Sequence, residues 1–325
     1  MIKFFRQSYA IQYVVIALLA IALWIPAFIS GKVAMGFDSP ITPLFNFIDR
    51  LLGFSPVVQH LFAFVLVLLE ALVFNFILVD NQIVGKVGTM GAFVFVLLMS
   101  LTCTQTNFYP FILSLFFILL IVRLMFGANA SQTVEFDLLK AGGYIALASM
   151  CYFPTILLLV WVMISLSIAK KGSLRLELIP LTGFTFVYFL YFTCIYLFGD
   201  FLPLIREYRD YFLNLTLSVN GFNLKSTILL TMLVVLSIFL LFSSVNLEKT
   251  IAVRTKITMS IVLLVLSVII LFLGGNVFYN GLIFFALAIV FSYEFSSMGN
   301  TGWADLFMTV FLLLVIANHY YFKLL

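Results

Sequence analysis

Glu70 is the acidic side chain whose position in this sequence most needs a chemical explanation. It lies near the middle of the apolar stretch VVQHLFAFVLVLLEALVFNFILV (57–79). A carboxylate at the centre of a bilayer costs on the order of 3 kcal/mol, so it normally faces a cavity or a polar partner. One interpretation is that Glu70 couples to an ion or contacts a substrate. The other is a packing acid that is hydrogen-bonded to Asn75, Thr89 or Ser100.

Two further acids lie in the polar segment 31–56, between apolar stretches that otherwise avoid charge. A carboxylate held near a membrane surface can act as the general base that deprotonates an acceptor hydroxyl, so Asp38 and Asp49 are the candidate catalytic residues. The alternative is an ordinary solvated loop, because Asp38 before Ser39 and Pro40 is typical of a turn.

Candidate residues for binding a headgroup accompany these acids. Arginine suits phosphate, because its planar guanidinium donates two parallel hydrogen bonds. Uncharged amides and hydroxyls beside aromatic rings suit a sugar or a lipid headgroup, and the hairpin TCTQTNFY (102–109) has that composition. The competing interpretation is the aromatic belt that membrane proteins carry at the interface. The candidate substrate-binding residues are Glu70, His60, Arg50, Arg206, Arg209, Gln105, Asn107 and Tyr109.

The composition places the chain in a membrane. Of its 325 residues, 64% are hydrophobic and 9% are charged, against about 25% charged in a soluble domain. The sequence has no glycine-rich phosphate loop, no paired CxxC, no HExxH and no long basic tract, so it predicts no cofactor and no nucleic-acid partner. His60 and His319 lack carboxylate and cysteine neighbours at metal-ligand spacing, so no metal site is predicted.

Apolar runs of about 15–23 residues recur along the chain, and they predict helices because lipid excludes unpaired backbone groups. The predicted fold is all-α, a polytopic integral membrane protein with a single transmembrane domain over 1–325 and no separate soluble domain. Gly142 and Ala146 form a small-xxx-small pair, which predicts close packing between helices. About eleven transmembrane helices are expected, at residues 10–30, 57–79, 86–103, 108–127, 138–152, 154–170, 179–198, 225–244, 256–273, 276–293 and 303–321.

The distribution of basic residues predicts the orientation. With eleven crossings and the N-terminus inside, 11 lysines and arginines fall on the inner side and 6 on the outer side, in agreement with the positive-inside rule. The segment 137–170, interrupted by Pro154, forms either two short helices or one broken helix. A single crossing there changes the distribution to 9 against 8, so two crossings with a hairpin at 151–154 are predicted. The segments 31–56 and 199–224 then lie outside.

Both outer segments are expected to carry a helix on the membrane surface, because apolar residues recur at helical spacing while charged residues lie largely off that stripe. In the second segment the stripe consists of Phe201, Ile205, Tyr208, Phe212 and Leu215. Residues 41–52 of the first segment show a weaker pattern, formed by Leu44, Ile48 and Leu51.

The layout resembles a family of bacterial inner-membrane proteins that has a short basic N-terminus and no established activity. The segments that carry the resemblance are FFRQSYAIQYVV (4–15), LEALVFNFILVDNQIVGK (69–86) and AGGYIALASMCYFPTILLLVWVMISL (141–166). The resemblance covers most of the chain. It implies a multi-pass protein of the bacterial inner (cytoplasmic) membrane.

The arrangement is similar, more distantly, to the membrane glycosyltransferases that use polyprenyl-phosphate sugars. Those enzymes have an inner N-terminus, an acid in the first outer loop and a surface helix in that loop. Asp38, and less well Asp49, match the acid, and residues 41–52 match the helix. The paired acidic motif and the large outer C-terminal domain of those enzymes are absent from this sequence. The similarity implies a polyprenyl-linked sugar as substrate.

Three functional hypotheses follow. The leading one is an inner-membrane protein of envelope biogenesis that handles a lipid-linked or glycan substrate at the outer leaflet, and whether it is an enzyme stays open. The second is a transporter or flippase that uses Glu70, although no internal repeat of the kind common in transporters is visible. The third is a non-catalytic subunit of a membrane assembly. The expected partners are membrane lipid, a polyprenyl-linked sugar and, in the third case, other membrane proteins.

Overall fold

The computed structural model describes residues 2–7, 10–30, 42–52, 55–85, 88–101, 108–127, 134–199, 201–213, 250–273, 281–297 and 301–317. Within these residues every regular element is a helix, and no β-strand occurs. The all-α prediction is therefore confirmed for the described part of the chain. The helix predicted at 225–244 lies outside it.

The helices follow one another with short connections, and three of them begin at a proline: Pro43, Pro56 and Pro110. Proline suits the first helical position because its missing N–H would have no partner there. The bounds are α1 Ile2–Phe5, α2 Ala10–Ser30, α3 Pro43–Leu52, α4 Pro56–Asp80, α5 Met90–Met99, α6 Pro110–Gly127, α7 Val134–Cys151, a 3₁₀ helix Phe153–Leu157, α8 Leu158–Ile168, α9 Leu174–Phe198, α10 Phe201–Leu213, α11 Ile251–Leu273, α12 Gly281–Ser297 and α13 Thr301–Ala317.

Several of these helices have the length and composition of membrane helices. In the described part of the chain, four stretches are long and apolar enough to cross a bilayer: Pro56–Asp80, Pro110–Gly127, Leu174–Leu197 and Ile251–Leu271. Shorter apolar helices cover Ala10–Pro26, Met90–Met99, Phe153–Ile168 and Gly281–Ser297. The exterior of α4 is apolar as well, since Leu69 is 53% exposed and Phe76 is 54% exposed. A long helix that is apolar on its inner and outer faces is a membrane helix.

The beginnings of α5 and α11 and the end of α4 lie together at one end of the bundle. There the Thr89 N–H donates to the Phe5 carbonyl at 2.9 Å. The Lys256 ammonium donates to the Asn81 carbonyl at 3.0 Å. We call this the N-terminal end. At the opposite end α4 and α6 begin and α7 and α9 finish, and we call it the tyrosine end after Tyr109, Tyr152, Tyr188, Tyr208 and Tyr211.

α7 and α9 run parallel, with their backbones in contact. Near their first residues Glu135 and Arg175 form an ion pair at 3.0 Å. Further along, a Cβ added to Gly142 would overlap the carbonyl group of Pro180, and one added to Gly183 would overlap the backbone of α7. Only glycine permits so close an approach. The close packing predicted at Gly142 is confirmed.

Residues 134–168 form two helices that run in opposite directions. α9 begins six residues after α8 ends, so the end of α8 lies beside the beginnings of α7 and α9. The chain reverses at Tyr152, whose backbone is extended with φ −139° and ψ 101°. The 3₁₀ helix that follows contains Pro154, which cannot continue α7. Of the two alternatives for this segment, the structure has the hairpin.

The helix predicted in the first outer segment is α3, at the tyrosine end. Leu44 and Ile48 pack against the core, as the predicted stripe requires. Leu51 was expected on the same face but is 72% exposed. Phe45 is buried instead and stacks on Phe108, with ring centroids 5.2 Å apart. The buried face of α3 is therefore rotated toward Phe45, because that ring has an aromatic partner in the bundle.

The helix predicted in the second outer segment is α10. Leu204 is buried, and the rings of Tyr208 and Tyr211 contact Phe153 at 5.8 and 5.2 Å between centroids. Ile205, which the predicted stripe included, is 42% exposed. Two members of the predicted stripe do contact the bundle, Tyr208 at Phe153 and Phe201 at Phe192, with ring centroids 6.2 Å apart in the second pair. The prediction is wrong at Ile205, where Leu204 is buried instead because α10 packs on the 3₁₀ helix through its tyrosines.

Candidate functional site

Glu70 is fully buried inside the bundle, on the face of α4 that packs against other helices. Within the described residues neither of its carboxyl oxygens has a hydrogen-bond partner. The Asn75 amide donates to the Gly88 carbonyl at 3.0 Å and accepts from the Ala92 N–H at 3.3 Å. Asn75 therefore uses its hydrogen-bonding capacity elsewhere, which removes it as the partner of a packing acid.

Thr89 is also engaged away from Glu70. Its hydroxyl has two acceptors within reach of its single proton, the Gln12 amide oxygen at 3.3 Å and the Phe5 carbonyl at 3.5 Å. Ser100, the third proposed partner, is fully buried, and its hydroxyl has no hydrogen-bond partner in the described part of the protein. Glu70 therefore makes no hydrogen bond to Asn75, Thr89 or Ser100, the three partners proposed for a packing acid.

The helix register places Ser100 at the level of Glu70. α4 and α5 are antiparallel, because Leu78 lies against Gly91 and Phe74 contacts Phe95 with ring centroids 5.0 Å apart. Each step of four residues back along α4 matches a step of four forward along α5. The same register brings the end of α5 beside Glu70, so the Glu70 carboxyl and the Ser100 hydroxyl lie at one level of the core. Neither has a hydrogen-bond partner within the described residues.

Tyr109 lies on the tyrosine-end side of Glu70. It is buried immediately before α6, and its ring lies 6.2 Å from that of Phe111 between centroids. A Cβ added to Gly281 would overlap the Phe111 ring and would lie 3.1 Å from the Tyr109 hydroxyl. Glycine at the first position of α12 thus leaves room for the Phe111 ring and for this phenol. Glu70 and Tyr109, both predicted as substrate-binding residues, are both buried in the bundle.

The first residue of α12 is also at the level of Glu70. α12 runs parallel to α4, since Gly281 lies beside Tyr109 at the tyrosine end while the Phe295 carbonyl accepts from Arg6 at 3.1 Å. Phe285, one turn into α12, contacts Phe74, one turn beyond Glu70, with centroids 5.7 Å apart. The first N–H groups of a helix carry partial positive charge, which favours a nearby carboxylate.

A layer of three phenylalanines closes the N-terminal side of Glu70. Phe74, Phe95 and Phe285 are each at most 1% exposed, and the ring of Phe74 contacts both others. Sequence analysis did not single out these residues, although the position of Phe74 one turn from Glu70 was a signal. Apolar rings offer nothing to a polar group, so the layer separates Glu70 from the Asn75 amide beneath it.

Between Tyr109 and α10, phenols alternate with phenylalanine rings. The Phe111 ring lies 6.2 Å from that of Tyr109 and 6.1 Å from that of Tyr152 between centroids. Burial raises the pKa of the Tyr211 phenol above its ordinary value. Burial also raises the pKa of the Tyr208 phenol, and the neighbouring phenols of α9 raise it further. Tyr208 and Tyr211 therefore stay protonated at neutral pH and present uncharged hydroxyl groups.

A second hydroxyl cluster lies between α7 and α9 at the same end. The Ser149 and Tyr188 hydroxyls are 2.9 Å apart and hydrogen-bonded. The ring of Tyr188 is 6.4 Å from that of Tyr191, and Phe192 beside it contacts Tyr208 at 6.0 Å. Ser149 and Tyr188 come into contact because α7 and α9 pack in parallel. The sequence alone does not predict that packing.

His60 lies on the same helix as Glu70 but about 15 Å away along its axis, at 1.5 Å per residue. It is buried, and its ring meets Phe28 edge-on with centroids 5.9 Å apart. Neither ring nitrogen has a hydrogen-bond partner within the described residues. His60 is thus not part of the group around Glu70.

The charged candidates at the tyrosine end lie on its surface helices. The Gln59 amide donates to the Asp49 carboxylate at 3.0 Å and ties α3 to α4. Arg50 on α3 and Arg206 on α10 are exposed. Arg209 is exposed too, and its guanidinium donates to the Asp210 carboxylate at 2.9 and 3.0 Å. These arginines are available at the surface, away from the buried group.

Three predicted residues, Asp38, Gln105 and Asn107, lie outside the described residues. In the described part of the chain no three His, Cys, Asp or Glu side chains converge as a metal site. The remaining candidates form two sets, and His60 lies apart from both. The buried set is Glu70 and Tyr109, and the surface set is Arg50, Arg206 and Arg209, with Asp49 beside Arg50 on α3.

No family model, no curated protein and no solved structure matches this chain. Within the described residues it is a bundle of helices, four of them long and apolar enough to cross a membrane, and the carboxyl group of Glu70 is buried inside it. Both family resemblances remain predictions from sequence.

Proposed function

We propose that this protein is a multi-pass protein of the bacterial inner membrane that handles the headgroup of a lipid-linked or glycan substrate at the outer leaflet, in envelope biogenesis. The observation that carries the proposal is the construction of the tyrosine end. Two amphipathic helices, α3 and α10, pack there on aromatic rings of the bundle, α3 through Phe45 on Phe108 and α10 through Tyr208 on Phe153, and both carry exposed arginines.

The chemistry of that end suits such a headgroup. Arginine pairs with the oxygens of a phosphate or diphosphate. Phenol hydroxyls donate and accept hydrogen bonds with sugar hydroxyls, and aromatic rings supply apolar surface. The exposed guanidinium groups of Arg50 and Arg206 lie on the surface helices, whereas the Tyr211 ring of α10 faces the bundle and contacts Phe153. A polyprenyl tail would remain in the surrounding lipid.

The eleven-helix topology is part of this proposal. Helices α2, α4 to α9 and α11 to α13 would supply ten crossings, and residues 225–244 the eleventh. Arg6, Arg175 and Lys256 lie toward the N-terminal end. The positive-inside rule makes that end cytoplasmic and the tyrosine end outer.

Catalysis would use an acid of the first outer segment. A general base there would deprotonate an acceptor hydroxyl, and Asp38 remains the first choice because it follows α2 closely in the chain. Asp49 is the second choice, since the Gln59 amide already binds its carboxylate at 3.0 Å.

A transporter or flippase is the second candidate function, and one observation favours it. Glu70 is a fully buried carboxyl group without a hydrogen-bond partner in the described residues. Intramembrane acids of this kind commonly mark substrate or ion pathways.

The test is deletion of the gene and complementation with variants, with lipid-linked glycan intermediates quantified by mass spectrometry. The Arg206→Gln/Arg209→Gln double variant should fail to restore the intermediates. Arg254→Gln is the matched control, because Arg254 is exposed at the opposite end of the bundle, and it should restore them. Unchanged intermediates after deletion would overturn the proposal and favour a subunit of a membrane assembly.

A further inference from the structure

Helix α5 ends inside the bundle rather than at its surface. It extends from Met90 to Met99, with Thr89 and Ser100 at its two caps, and all ten of its residues are buried. At a rise of 1.5 Å per residue the helix is about 15 Å long. That is half of the roughly 30 Å that a helix needs to cross the hydrocarbon core of a bilayer. The last turn of α5 therefore lies within the packed interior.

This last turn is at the level of Glu70. The antiparallel register of α4 and α5 pairs Phe74 with Phe95, whose ring centroids are 5.0 Å apart. Four residues back along α4 and four forward along α5, the same register pairs Glu70 with Met99. Glu70 shares a face of α4 with Phe74, because residues four apart on a helix are neighbours. That face packs against α5 and, through Phe285, against α12.

Two helix ends of opposite polarity meet at this level. The last turn of α5 carries partial negative charge, because carbonyl groups point out of a helix at its C-terminus. Helix α12 begins at Gly281, and its first N–H groups carry partial positive charge. Phe285, one turn into α12, contacts Phe74, one turn beyond Glu70. A carboxylate is therefore favoured beside the beginning of α12, and a cation is favoured beside the end of α5.

The side chains at this level offer oxygen atoms without partners. The two carboxyl oxygens of Glu70 and the hydroxyl of Ser100 are buried, and none of them is hydrogen-bonded within the described residues. No lysine or arginine of the described residues is therefore bonded to the Glu70 carboxyl. A backbone carbonyl has two lone pairs, so a carbonyl of α5 that accepts one hydrogen bond can still face an ion. Carboxylate, hydroxyl and carbonyl oxygens are the ligands that hard cations take.

The single acid selects the charge of the ion. A buried carboxylate without a positive partner is costly, and one positive charge neutralises it. A divalent ion would leave a net positive charge in the bundle. In the part of the chain that the structure describes, no three His, Cys, Asp or Glu side chains converge to hold such an ion. A phosphate would be repelled by the carboxylate in a medium of low dielectric constant. The charge balance favours a monovalent cation.

We propose that Glu70, Ser100 and the carbonyl groups of the last turn of α5 form a binding site for an alkali-metal cation, Na⁺ or K⁺. Secondary transporters bind coupling ions at the ends of helices that stop inside the membrane. A coupling role for this ion rests on the transporter alternative under the proposed function. The site itself rests on the packing of α4, α5 and α12, and it does not depend on the headgroup proposal.

The first test is the thermal unfolding of the purified full-length protein in detergent, in NaCl, KCl or choline chloride at equal ionic strength and fixed pH. A ligand that binds the folded state raises the melting temperature. NaCl or KCl should give a saturable rise that choline chloride does not give. Glu70→Gln keeps the shape without the charge and should lose this rise. Asp137→Asn is the matched control and should keep it, because Asp137 lies in the first turn of α7.

A second pair of variants tests the hydroxyl ligand. Ser100→Ala should need a higher cation concentration for the half-maximal rise in melting temperature. Ser165→Ala should leave that concentration unchanged. The Ser165 hydroxyl is also buried without a hydrogen-bond partner in the described residues, but it lies on α8.

Direct binding to the wild-type protein keeps the test independent of the variants. Radioactive Na⁺, or Rb⁺ in place of K⁺, is measured by scintillation proximity on the purified chain. One saturable ion per chain is expected for one of the two, displaced by the unlabelled ion and not by choline. Absence of saturable binding for both ions would overturn the proposal even if Glu70→Gln failed to fold.

Two other results would also reject the cation site. An equal rise in the wild type and in Glu70→Gln would place the bound ion elsewhere in the protein. A melting temperature that responds to pH through Glu70, but not to alkali cations, would make a proton the neutralising partner. Neither result bears on the headgroup proposal, which is read from lipid-linked glycan intermediates in cells.

Discussion

Burying a polar group without a hydrogen-bond partner costs a protein about 1–3 kcal/mol. Within the described residues both oxygens of Glu70 are such groups. Functional sites commonly carry destabilising residues of this kind, because the ligand that satisfies them is not part of the folded chain. Glu70 should therefore oppose stability while supporting function, and that combination separates it from a packing residue.

At the scale of this residue, we expect Glu70→Leu to raise the free energy of unfolding by about 1–3 kcal/mol, because it removes buried groups that lack partners. The same variant should fail to complement a deletion strain. Glu70→Gln keeps the shape and should fold normally. Thermal denaturation in detergent and growth under envelope stress measure the two effects.

Ser165→Ala supplies the control for this prediction. The Ser165 hydroxyl is buried and also lacks a hydrogen-bond partner in the described part of the chain, but it lies on α8, away from the tyrosine end. It should be stable and fully active. If Glu70→Leu lowers stability, or if it complements like wild type, Glu70 is an ordinary packing acid.

How far the sequence predicts the site depends on the residue. Glu70 is conspicuous because a single charge interrupts a long apolar run, and that signal is local. Its burial in one bundle with Tyr109 is not local, since 39 residues separate them and this burial depends on how α4, α6 and α12 pack. The phenylalanine layer is less visible still, because 39 phenylalanines in one chain give no reason to select three.

Among the elements, α7 and α9 pack closely because two glycines in their interface have no side chains. Gly142 and Gly183 have no side chains, so two backbones can touch. Lipid tails are as apolar as leucine, so helix association in a membrane relies on such close contacts more than on hydrophobic burial. The parallel pairing of α7 with α9 also brings Ser149 to Tyr188.

This contact predicts opposite outcomes for two adjacent glycines. In Gly142→Ala the new methyl group overlaps the Pro180 carbonyl, and we expect a loss of about 1–3 kcal/mol or more from overpacking. In Gly143→Ala the methyl group meets only a Val187 methyl at 3.8 Å, and the helix should gain up to about 1 kcal/mol from the replaced glycine. Thermal denaturation of both variants in one detergent makes the comparison. Equal midpoints would show that α7 and α9 are not in backbone contact.

Element boundaries were predictable where proline or glycine sets them. Pro154 indicates the reversal between α7 and α8, and Pro56 indicates the start of α4. The faces of the surface helices were harder to predict, because helical spacing alone does not say which partner will cover them. Phe45 and Leu204 are buried by contacts with distant parts of the chain, and no local pattern records those contacts.

For the whole molecule, the two ends differ in chemistry. At the N-terminal end, side chains donate hydrogen bonds to backbone carbonyls of other segments. Arg6 donates to the Phe295 carbonyl and Lys256 donates to the Asn81 carbonyl. The tyrosine end is covered by amphipathic helices and aromatic rings. Hydropathy predicts that the chain lies in a membrane, because that depends on composition. The count of eleven crossings stays a prediction, as it includes residues 225–244.

The asymmetry of the ends predicts the orientation of the molecule. Leu174, 81% exposed at the N-terminal end, and Glu207, exposed on α10, lie at opposite ends of α9. Single cysteines at these positions, in a chain without its native cysteines, are probed with an impermeant maleimide. We expect labelling of Glu207→Cys from outside and of Leu174→Cys only in inside-out vesicles, because the positive-inside rule holds the basic end in the cytoplasm. The reverse pattern would invert the molecule and move the tyrosine end away from the outer leaflet. Labelling of both cysteines from one face would mean that α9 does not cross the membrane, since a crossing helix must separate its ends.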